Sequence, residues 1–562
     1  MASVPEKSAP RPSNFIREIV AADVANGVFG GKVVTRFPPE PNGYLHLGHA
    51  YAARVSYEIA REFGGTFHLR LDDTNPVTEE LEYVEALIDA LRWLGIDWGE
   101  NLFFASDYFP QMYAHALTLI RQGKAYVCEL NQELMRQQRG TATTPGVASP
   151  YRDRSVEENL ARFEQMKRGE IGQGEAVLRA KIDMAAPNLL LRDPVMYRIV
   201  HAPHYRQGKE WHIYPIYDWA HCLEDSIEGV THSLCSLEFE NNRALYDWYL
   251  DQLGIHHPKQ IEFSRLNLTH TLMSKRKLIQ LVQDRHVAGW DDPRMPTLLG
   301  FRRRGVPPAA VNDFLSLISV SKSPTAVDMS LVEYCTRQRL NADASRVMAV
   351  LRPLRVIIDN YPEGQVEWFE AENLPDAPER GARKVPFSRE IYIEQEDFRV
   401  EPPPQYFRLS PGVEIRLKHA YLVTCVSYVQ DPKTGEVVEV HCRYDPASRG
   451  GGAPDGRKVK GTSHWVSASH AVDATVRLYD RLFGVEDPEE GDFLEHLNPE
   501  SMQVLESCKL ESCLADTGEE VFQFLRQGYF VADRLESKPG RPVFNQVVSL
   551  KDSWAKIARR SG

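Results

Sequence analysis

The residues best suited to chemistry in this sequence lie between positions 31 and 50, in the stretch GKVVTRFPPEPNGYLHLGHA. His46 and His49 are spaced so that both rings can lie on one edge of a first helical turn. Gly48, between them, allows a ligand to approach the backbone closely. A first helical turn also offers unbonded backbone N–H groups and the positive end of the helix dipole. Two imidazoles at such a position predict a site that binds the phosphates of a nucleotide.

The elements around the two histidines are predicted to form a parallel sheet with helices on its faces. Val33, Val34 and Phe37 indicate a buried strand, and the prolines and glycine that follow forbid a helix before Leu45. The pattern then repeats, because the strand-and-turn segment FHLRLDDTN precedes apolar residues at the helical period. Alternation of strand and helix is typical of a doubly wound α/β sheet. The apolar positions of the second helix are Leu81, Val84, Ile88, Leu91 and Leu94.

A second group of candidate residues lies in the segment LMSKRK, at positions 272–277. We expect its Ser274–Lys275 pair to be exposed, with basic neighbours. Alone, the segment is also consistent with a solvated basic turn, and an isolated H-x-G-H is also consistent with ordinary surface or core histidines. Together, HLGH and MSK closely resemble the two signatures of the class I aminoacyl-tRNA synthetases.

The resemblance covers most of the chain, from about residue 14 to about residue 558, and narrows to the glutaminyl subgroup. Bacterial glutamyl enzymes usually carry F-A-P-S-P-T-G in the first motif, whereas Glu40-Pro41-Asn42-Gly43 resembles the glutaminyl and the archaeal or eukaryotic glutamyl branch. The choice between glutamine and glutamate therefore stays open at this point. The segments that resemble the glutaminyl subgroup are RFPPEPNGYLH, LRLDDTNP, RGTATTPG, SPYRDRSVEEN, IYPIYDWAHC, GWDDPRMPT and GRKVKG.

The resemblance implies an α/β architecture with a split Rossmann-like catalytic domain, an inserted acceptor-binding domain, a helical linker and two C-terminal antiparallel β-barrels. The short alternating strands after Val350 agree with barrels, and we expect the stretch around residues 344–350 still to be helical. The expected segments are a flexible N-terminal arm (1–25), the first catalytic half (26–106), the inserted domain (107–210), the second catalytic half (211–265), the linker with the MSK loop (266–343) and the barrels for anticodon binding (344–562).

The implied reaction joins an amino acid to ATP and then to the 3′-terminal ribose of a tRNA. His46 and His49 would hold the phosphates, and Lys275 would swing in from a mobile loop to meet the charge on departing pyrophosphate. Mg²⁺ would be bound through the ATP phosphates, with few protein ligands. Glu40 is a candidate for ribose proton transfer or for a purely structural turn. The implied ATP contacts are Glu40, Asn42, His46, Gly48, His49, Arg265, Met273, Ser274 and Lys275.

The amino-acid pocket is carried over from the resemblance position by position. Asp72 matches the carboxylate that holds the substrate ammonium, although Asp72-Asp73 also suits a turn or helix cap. Arg36, Tyr217 and His221 match other pocket residues, and an aromatic core face is the alternative for the last two. Cys235 stands where glutamyl relatives commonly carry an Arg. Because a pocket without that Arg would leave a glutamate carboxylate buried and unpaired, Cys235 favours glutamine.

Recognition of tRNA is also implied by matching positions, whose alternative is ordinary polar residues on a barrel surface. Planar, multidonor side chains suit the edges of splayed anticodon bases. Two positions depart from the subgroup, since Ala142 replaces an apolar wedge that is usually Leu and Asn241 replaces an acceptor-reading Asp. The implied anticodon contacts are Arg346, Arg408, Gln523 and Arg526.

Composition sets the remaining expectations. A chain of 562 residues is too long for a single core. A net charge of −12 opposes general nucleic-acid binding, so local basic clusters must carry it. The scattered cysteines and the polar N-terminal sequence predict a cytoplasmic protein without zinc, membrane span or signal peptide.

We therefore expect a monomer that binds tRNA(Gln), glutamine and ATP. Three alternatives stay open. The first is a glutamyl-tRNA synthetase, possibly nondiscriminating, and the second is a catalytically silent tRNA-binding protein derived from a synthetase. The third is a small-molecule nucleotidyltransferase, which would leave the long C-terminal β region unexplained.

Overall fold

The computed structural model describes residues 14–324, 326–453 and 455–551. The chain falls into two compact units, which are treated separately below. The first comprises Met1–Asn267 and Leu315–Val327, and the second comprises Leu268–Phe314 and Asp328–Gly562. Within the described residues, no helix combines the length and apolar character needed to cross a bilayer.

Helices occur in both units. They are α1 (Phe15–Ala25), α2 (Leu47–Glu62), α3 (Leu81–Trp93), α4 (Phe109–Arg121), α5 (Gln132–Gln138), α6 (Val156–Lys167), α7 (Tyr217–Ile227), α8 (Arg243–Leu253), α9 (Lys275–Gln283), α10 (Leu298–Arg304), α11 (Pro308–Leu317) and α12 (Ser330–Asp343).

Strands are short in the first part of the chain and dominate the second. They are β1 (Val34–Phe37), β2 (Thr66–Leu71), β3 (Leu102–Phe104), β4 (Ala125–Cys128), β5 (Val177–Ala180), β6 (Val195–Ile199), β7 (Ile213–Pro215), β8 (His232–Ser236), β9 (Lys259–Phe263), β10 (Asn267–Leu268), β11 (Ala326–Val327), β12 (Ser345–Val347), β13 (Ala349–Val350), β14 (Pro353–Ile358), β15 (Glu367–Glu372), β16 (Ala382–Phe387), β17 (Glu390–Glu394), β18 (Glu414–Leu417), β19 (Leu422–Gln430), β20 (Val437–Tyr444), β21 (Thr462–Ser463), β22 (Val466–Ser467), β23 (Val472–Tyr479), β24 (Met502–Leu510), β25 (Val521–Phe524), β26 (Gly528–Ala532) and β27 (Val543–Ser549).

The parallel sheet predicted around the two histidines is present in the first unit. Strand β2 pairs in parallel with both β1 and β3, and β8 pairs in parallel with β9. The backbone N–H of Thr231 donates to the carbonyl oxygen of Val34 at 2.9 Å, which places β8 beside β1. The order is therefore β3-β2-β1-β8-β9. From β1 the strands continue outward on one side through β2 and β3 and on the other side through β8 and β9, so the strand order reverses between β1 and β8. This is the place where α/β sheets of this kind bind ligands.

A flexible N-terminal arm was predicted for residues 1–25. The prediction is wrong for residues 15–25, because they form α1. The side chain of Asn14 caps this helix by accepting from the N–H of Arg17 at 3.0 Å, and Ile16 and Val20 are fully buried. Amphipathic burial therefore orders this segment. The rest of the predicted arm, residues 1–13, lies outside the described residues.

The region predicted as an insertion, residues 107–210, contains the first three strands of an antiparallel sheet in the order β4-β5-β6-β7. The fourth strand, β7, begins at Ile213, in the segment predicted as the second catalytic half, so the boundary predicted at residue 210 falls within this sheet. The charged stretch of the region is α6, which begins with a capping box between Ser155 and Glu158. Helices α4 and α6 cover the sheet, and the core between them includes Phe109, Met112, Phe163, Tyr197 and Trp211.

The second unit carries two large sheets, in the orders β12-β25-β26-β27-β23-β24-β13 and β21-β18-β19-β20-β14-β17-β22. Their curved, barrel-like pairing agrees with the expectation of two C-terminal barrels. The expectation that both are antiparallel is wrong, because β12–β25, β23–β27, β14–β20 and β18–β21 are parallel pairs. Short turns in a sequence reveal hairpins, whereas parallel pairs need long connections that leave no local signal.

The expectation of a helix around residues 344–350 is also wrong. Helix α12 ends at Asp343, and strands β12 and β13 follow it. Arg346 and Val347 of β12 pair with Gln523 and Phe524 of β25. Val347 and Val350 are fully buried. Pairing with a distant strand therefore overrides local helix preference here.

Candidate active site

The two histidines of the HLGH segment cap the helix that they were predicted to begin. His46 is the N-cap of α2, and its Nδ1 accepts from the N–H of Gly48 at 3.1 Å. The Nδ1 of His49 accepts from the N–H of His46 at 3.2 Å. The two rings stack with their centroids 3.8 Å apart. This reciprocal capping box locks both rings onto the helix N-terminus.

The protonation of His46 follows from that geometry. Burial, together with the neighbouring His49, holds the pKa of His46 well below its usual value. Because Nδ1 is an acceptor, the neutral ring of His46 carries its proton on Nε2. The ring can therefore donate one hydrogen bond to an anion without adding a positive charge.

A group of carboxyls lies beside the loop that precedes α2, and one of them, Asp72, directly follows β2. The N–H of Asp72 donates to the carbonyl oxygen of Pro39 at 3.0 Å, and its Oδ1 accepts from the hydroxyl of Thr74 at 2.9 Å. Burial and the nearby Glu40 raise the pKa of Asp72 to about 7. Burial likewise raises the pKa of Glu79 to about 10, with Asp72 contributing. Carboxyls that repel one another in a buried place would be stabilised by a bound cation.

The floor of the site is Arg36, whose side chain is completely buried. Its guanidinium donates to the Asp225 carboxylate from Nε at 3.0 Å and from Nη2 at 3.1 Å. It also donates to the carbonyl oxygen of Leu234 at 2.6 Å and to the hydroxyl of Ser233 at 2.6 Å, and its Nη2 lies 2.9 Å from Nε2 of His221. These internal contacts hold the guanidinium in one orientation.

Aromatic rings form the wall next to Arg36. Tyr217, the first residue of α7, stacks on His221 with the centroids 5.0 Å apart, and its ring is tilted against that of Phe239 with the centroids 4.9 Å apart. Burial lowers the pKa of His221 to about 3, so its ring is neutral. Burial raises the pKa of the Tyr217 hydroxyl, which also interacts electrostatically with Cys235, Arg36 and Asp72.

Cys235 lies in β8 opposite Glu262 of β9. Burial raises the pKa of its thiol to about 12, so Cys235 is neutral. The five side chains predicted for the amino-acid pocket are thus brought together in the first unit. They are Arg36, Asp72, Tyr217, His221 and Cys235.

The predicted ATP contacts of the first unit are more dispersed. The Asn42 side chain donates to the carboxylate of Glu40, which is exposed. Arg265 is 61% exposed and forms an ion pair with Glu238 at 2.8 Å. Its Nε also donates to the Asn267 side chain at 3.1 Å. Arg265 therefore lies at the surface of the first unit.

The MSK segment belongs to the second unit and differs from the exposed mobile loop that was expected. Met273, Ser274 and Lys275 are half-buried, and Lys275 is the first residue of α9 with Ser274 as its N-cap. Leu272 and Leu278 on either side are buried in a shared apolar cluster. Because these flanking leucines are buried, the segment between them packs against the second unit. The basic residues of the segment gave no indication of this packing.

The four predicted anticodon contacts form two pairs in the second unit. Arg346 and Gln523 lie opposite each other on β12 and β25, and the Nε of Arg346 has no hydrogen-bond partner among the described residues. Arg408 and Arg526 both bind the buried carboxylate of Asp397, at 2.9 and 2.6 Å. They line an open cleft together with Glu396, Tyr406 and Phe407.

Sequence reasoning missed the two aspartates that hold these arginines. Asp225 is four residues after His221 on α7, a helical spacing that offered a weak signal. Asp397 gave a weak signal, because its partner Arg526 is 129 residues away and its nearer partner, Arg408, forms no recognisable motif with it. Glu79 was also missed, although it follows the LDDTN turn closely.

Models of known protein families match most of the sequence, and all three matches are to tRNA synthetases. Residues 32–342 match the family described as tRNA synthetases class I (E and Q), catalytic domain. Residues 344–445 and 462–533 match the two anti-codon binding domains of the same family.

Curated relatives match over nearly the full length. The glutamine–tRNA ligase of Nitrobacter winogradskyi is 57% identical, covering 98% of this chain and 99% of that protein. The glutamine–tRNA ligase of Clostridium kluyveri is 54% identical, covering 96% and 98%. That of Rhodopirellula baltica is 52% identical, covering 99% and 92%.

Proposed function

The chain belongs to the glutamyl and glutaminyl family of class I tRNA synthetases, and on that premise we propose that it is a glutamine–tRNA ligase. It activates glutamine with ATP and transfers the glutaminyl group to the 3′-terminal ribose of tRNA(Gln), releasing AMP and pyrophosphate. The observation that carries this conclusion is the full-length similarity to glutamine–tRNA ligases. The convergence of Arg36, Asp72, Tyr217, His221 and Cys235 supports it from the structure.

In the activation step, the glutamine carboxylate attacks the α-phosphate of ATP and pyrophosphate leaves. The phosphates bind at the N-terminus of α2, where His46 donates from Nε2–H and Gly48 permits close approach. Lys275 stabilises the charge that develops on the departing pyrophosphate. The described residues contain no group of three or more metal-ligating side chains. When bound, Mg²⁺ would offset phosphate charge and be held mainly by ATP oxygens, with few protein ligands.

The glutamine ammonium binds at Asp72. Its positive charge relieves the repulsion among Asp72, Glu40 and Glu79, so binding favours the ionised form of the Asp72 carboxyl. The side-chain amide of glutamine lies toward Tyr217, His221 and Cys235. The Tyr217 hydroxyl and the Cys235 thiol are neutral at pH 7, and burial raises the pKa of each further; burial lowers the pKa of His221, so its ring is neutral too. Neutral surroundings suit an amide better than a carboxylate.

Selection of tRNA is assigned to the second unit and to the inserted region. Arg346 with Gln523 and Arg408 with Arg526 read two separate sets of anticodon base edges. The region of residues 107–210 contacts the acceptor end, and residues 344–562 bind the anticodon. This division follows the segments expected from the sequence.

Exchange of labelled pyrophosphate into ATP tests this function, with glutamine or glutamate and with or without tRNA(Gln). We expect exchange with glutamine when tRNA is present. Exchange that favours glutamate would instead assign the chain to the glutamyl branch. Absence of exchange with either amino acid would indicate a tRNA-binding protein without activity.

A further inference from the structure

Phe407 is an exposed aromatic residue in the cleft that Arg408 and Arg526 line. It is 49% exposed, whereas Tyr406 before it and Arg408 after it are half-buried. Tyr406 is held against the protein, because its hydroxyl donates to the carbonyl oxygen of Glu396 at 2.9 Å. The ring of Phe407 thus gives the cleft an apolar surface that faces solvent.

The backbone just before Phe407 makes a tight and strained turn. The N–H of Tyr406 donates to the carbonyl oxygen of Pro403 at 3.2 Å, which closes the turn. Gln405, the third residue of the turn, has a φ of 66°. This left-handed conformation is normally given to glycine or asparagine at that position. Strain of this kind is concentrated at ligand-binding sites, and here it lies two residues before the exposed ring.

The segment GRKVKG, residues 456–461, supports Phe407. A Cβ atom at Gly461 would lie 2.8 Å from the carbonyl oxygen of Phe407, so glycine is needed for the two backbones to approach this closely. The ammonium group of Lys460 lies over the Phe407 ring, 5.0 Å from its centroid. A cation at this distance is attracted to the face of an aromatic ring. These contacts hold Phe407 in place and set a positive charge against its ring.

The combination of an exposed ring with nearby cations suits an unpaired RNA base. Bases of single-stranded RNA stack on aromatic side chains, while arginines bind the edges of the bases. Arg408 and Arg526 are both oriented by Asp397 and remain partly exposed. A simple anion would use the arginines but not the ring, and an apolar ligand would use the ring but not the arginines. An unpaired nucleotide uses both.

We propose that Phe407 is a stacking platform for one unpaired base of the tRNA anticodon loop. The base lies against the ring, and Lys460 helps to hold the ring in position. Every base has an aromatic face, so Phe407 contributes to how tightly tRNA binds, whereas Arg408 and Arg526 contribute to which bases are accepted. This inference rests on the proposed function, because it assumes that the anticodon loop enters this cleft.

Fluorescence anisotropy of labelled tRNA(Gln), titrated with the full chain, tests the platform. Phe407→Leu removes the aromatic face but keeps an apolar side chain, and we expect its Kd for tRNA(Gln) to rise by at least about fivefold. Phe407→Tyr keeps the aromatic face, so its Kd should stay within about threefold of wild type. An unchanged Kd in Phe407→Leu would overturn the proposal.

Trp368→Leu is the matched control, because it also removes an exposed aromatic ring from the second unit. Trp368 is 50% exposed, its ring contacts His470, and it lies outside the described lining of the cleft. We expect its Kd for tRNA(Gln) to stay within about threefold of wild type. Equal rises in Trp368→Leu and Phe407→Leu would assign the effect to exposed aromatic surface in general and overturn the proposal.

A second measurement separates stacking from a structural role of Phe407. The nucleotides of the anticodon loop are replaced one at a time by an abasic nucleotide, and each RNA is bound to wild type and to Phe407→Leu. At the stacked position, the abasic change should weaken binding to wild type by at least about fivefold and binding to Phe407→Leu by less than about twofold, because the variant has already lost the stack. If no position behaves in this way, Phe407 is not a stacking platform.

Failure of the proposed function would be seen separately, as absence of glutamine charging by the wild-type chain. Binding is measured without the reaction, so the platform can be rejected while charging is intact. Absence of tRNA(Gln) binding by the wild-type chain would overturn the platform itself.

Discussion

Each unit contains a buried aspartate that binds two arginines, and the two arrangements differ in exposure. Asp225 in the first unit and Asp397 in the second are both completely buried, and each binds two arginines. The side chain of Arg36 is 0% exposed, whereas that of Arg526 is 33% exposed. Aspartate–arginine ion pairs therefore lie in the buried interior of the first unit and at an open cleft of the second.

The difference shows how exposure decides what an ion pair does. In the interior, the guanidinium is enclosed by protein partners, so it sets the charge and shape of a pocket. At the cleft, the aspartate orients Arg408 and Arg526 while part of each guanidinium faces solvent. That part remains available for the base edges of a nucleic acid. Substitution should therefore affect stability and amino-acid choice in the first unit, and tRNA binding in the second.

The largest effect on stability is expected for Arg36→Met. It leaves the Asp225 charge less compensated in a buried place, so the free energy of unfolding should fall by about 3–5 kcal/mol. Arg526→Met should cost only about 1.5–3 kcal/mol, because Arg408 still binds Asp397. Urea denaturation followed by circular dichroism measures both. Equal losses in the two variants would remove the distinction between the two arrangements.

Lys275→Ala should have the largest effect on rate. If Lys275 stabilises the departing pyrophosphate, its removal should lower kcat for glutamine activation by about 10² to 10³, or about 3–4 kcal/mol. Lys275 belongs to the second unit. A loss of this size would therefore show that a residue of the second unit can affect glutamine activation as well as tRNA binding. Pre-steady-state formation of the adenylate gives the direct measurement.

Lys277→Ala is the control for Lys275→Ala. Lys277 lies near the ring of Phe493 and donates to the carbonyl oxygen of Glu489. Because this role is structural, its rate should stay within about threefold of wild type. Nearly normal turnover in Lys275→Ala would refute the assignment.

Arg526→Ala should weaken tRNA use by about 1–3 kcal/mol, which corresponds to about 5- to 150-fold in KM for tRNA. The KM for glutamine at saturating tRNA should change little. Arg355→Ala is a suitable control, since Arg355 is 43% exposed in the same unit and pairs with Glu390 and Glu439. If both variants raised the KM for tRNA equally, Arg526 would be contributing general charge rather than base reading.

Lowering the pH tests the role of Asp72 in the first unit, and we expect it to have the smallest effect of these changes on catalysis. Burial raises the pKa of Asp72 to about 7 in the free enzyme. Below that pH the carboxyl is protonated and cannot pair with the glutamine ammonium. The KM for glutamine should therefore rise as pH falls through about 7, approaching tenfold per unit. A KM that is flat from pH 8 to pH 6 would argue against Asp72 as the ammonium site.

Local patterns in the sequence predicted those strands, turns and helices that depend on neighbouring residues. The strand, turn and helix around His46 follow from apolar and proline spacing. Asp72 and Cys235 were proposed as pocket residues because the sequence around them resembles a known family. Asp225 and Asp397 were not found, because Arg36 and Arg526 lie 189 and 129 residues away from them and the nearer Arg408 forms no recognisable motif with Asp397. The stretch around residues 344–350 was expected to be helical, but pairing with strands that are distant in sequence makes it β12 and β13.

The most direct test of this account is competition between glutamine and glutamate for charging of tRNA(Gln) by the wild-type chain. Equal concentrations of the two amino acids carry different radiolabels, and the labels on the tRNA are counted. The account predicts glutaminyl-tRNA in excess by at least about 10²-fold, because the Tyr217, His221 and Cys235 side chains of the pocket are neutral and would leave a glutamate carboxylate unpaired. Comparable amounts of glutamyl-tRNA would contradict it.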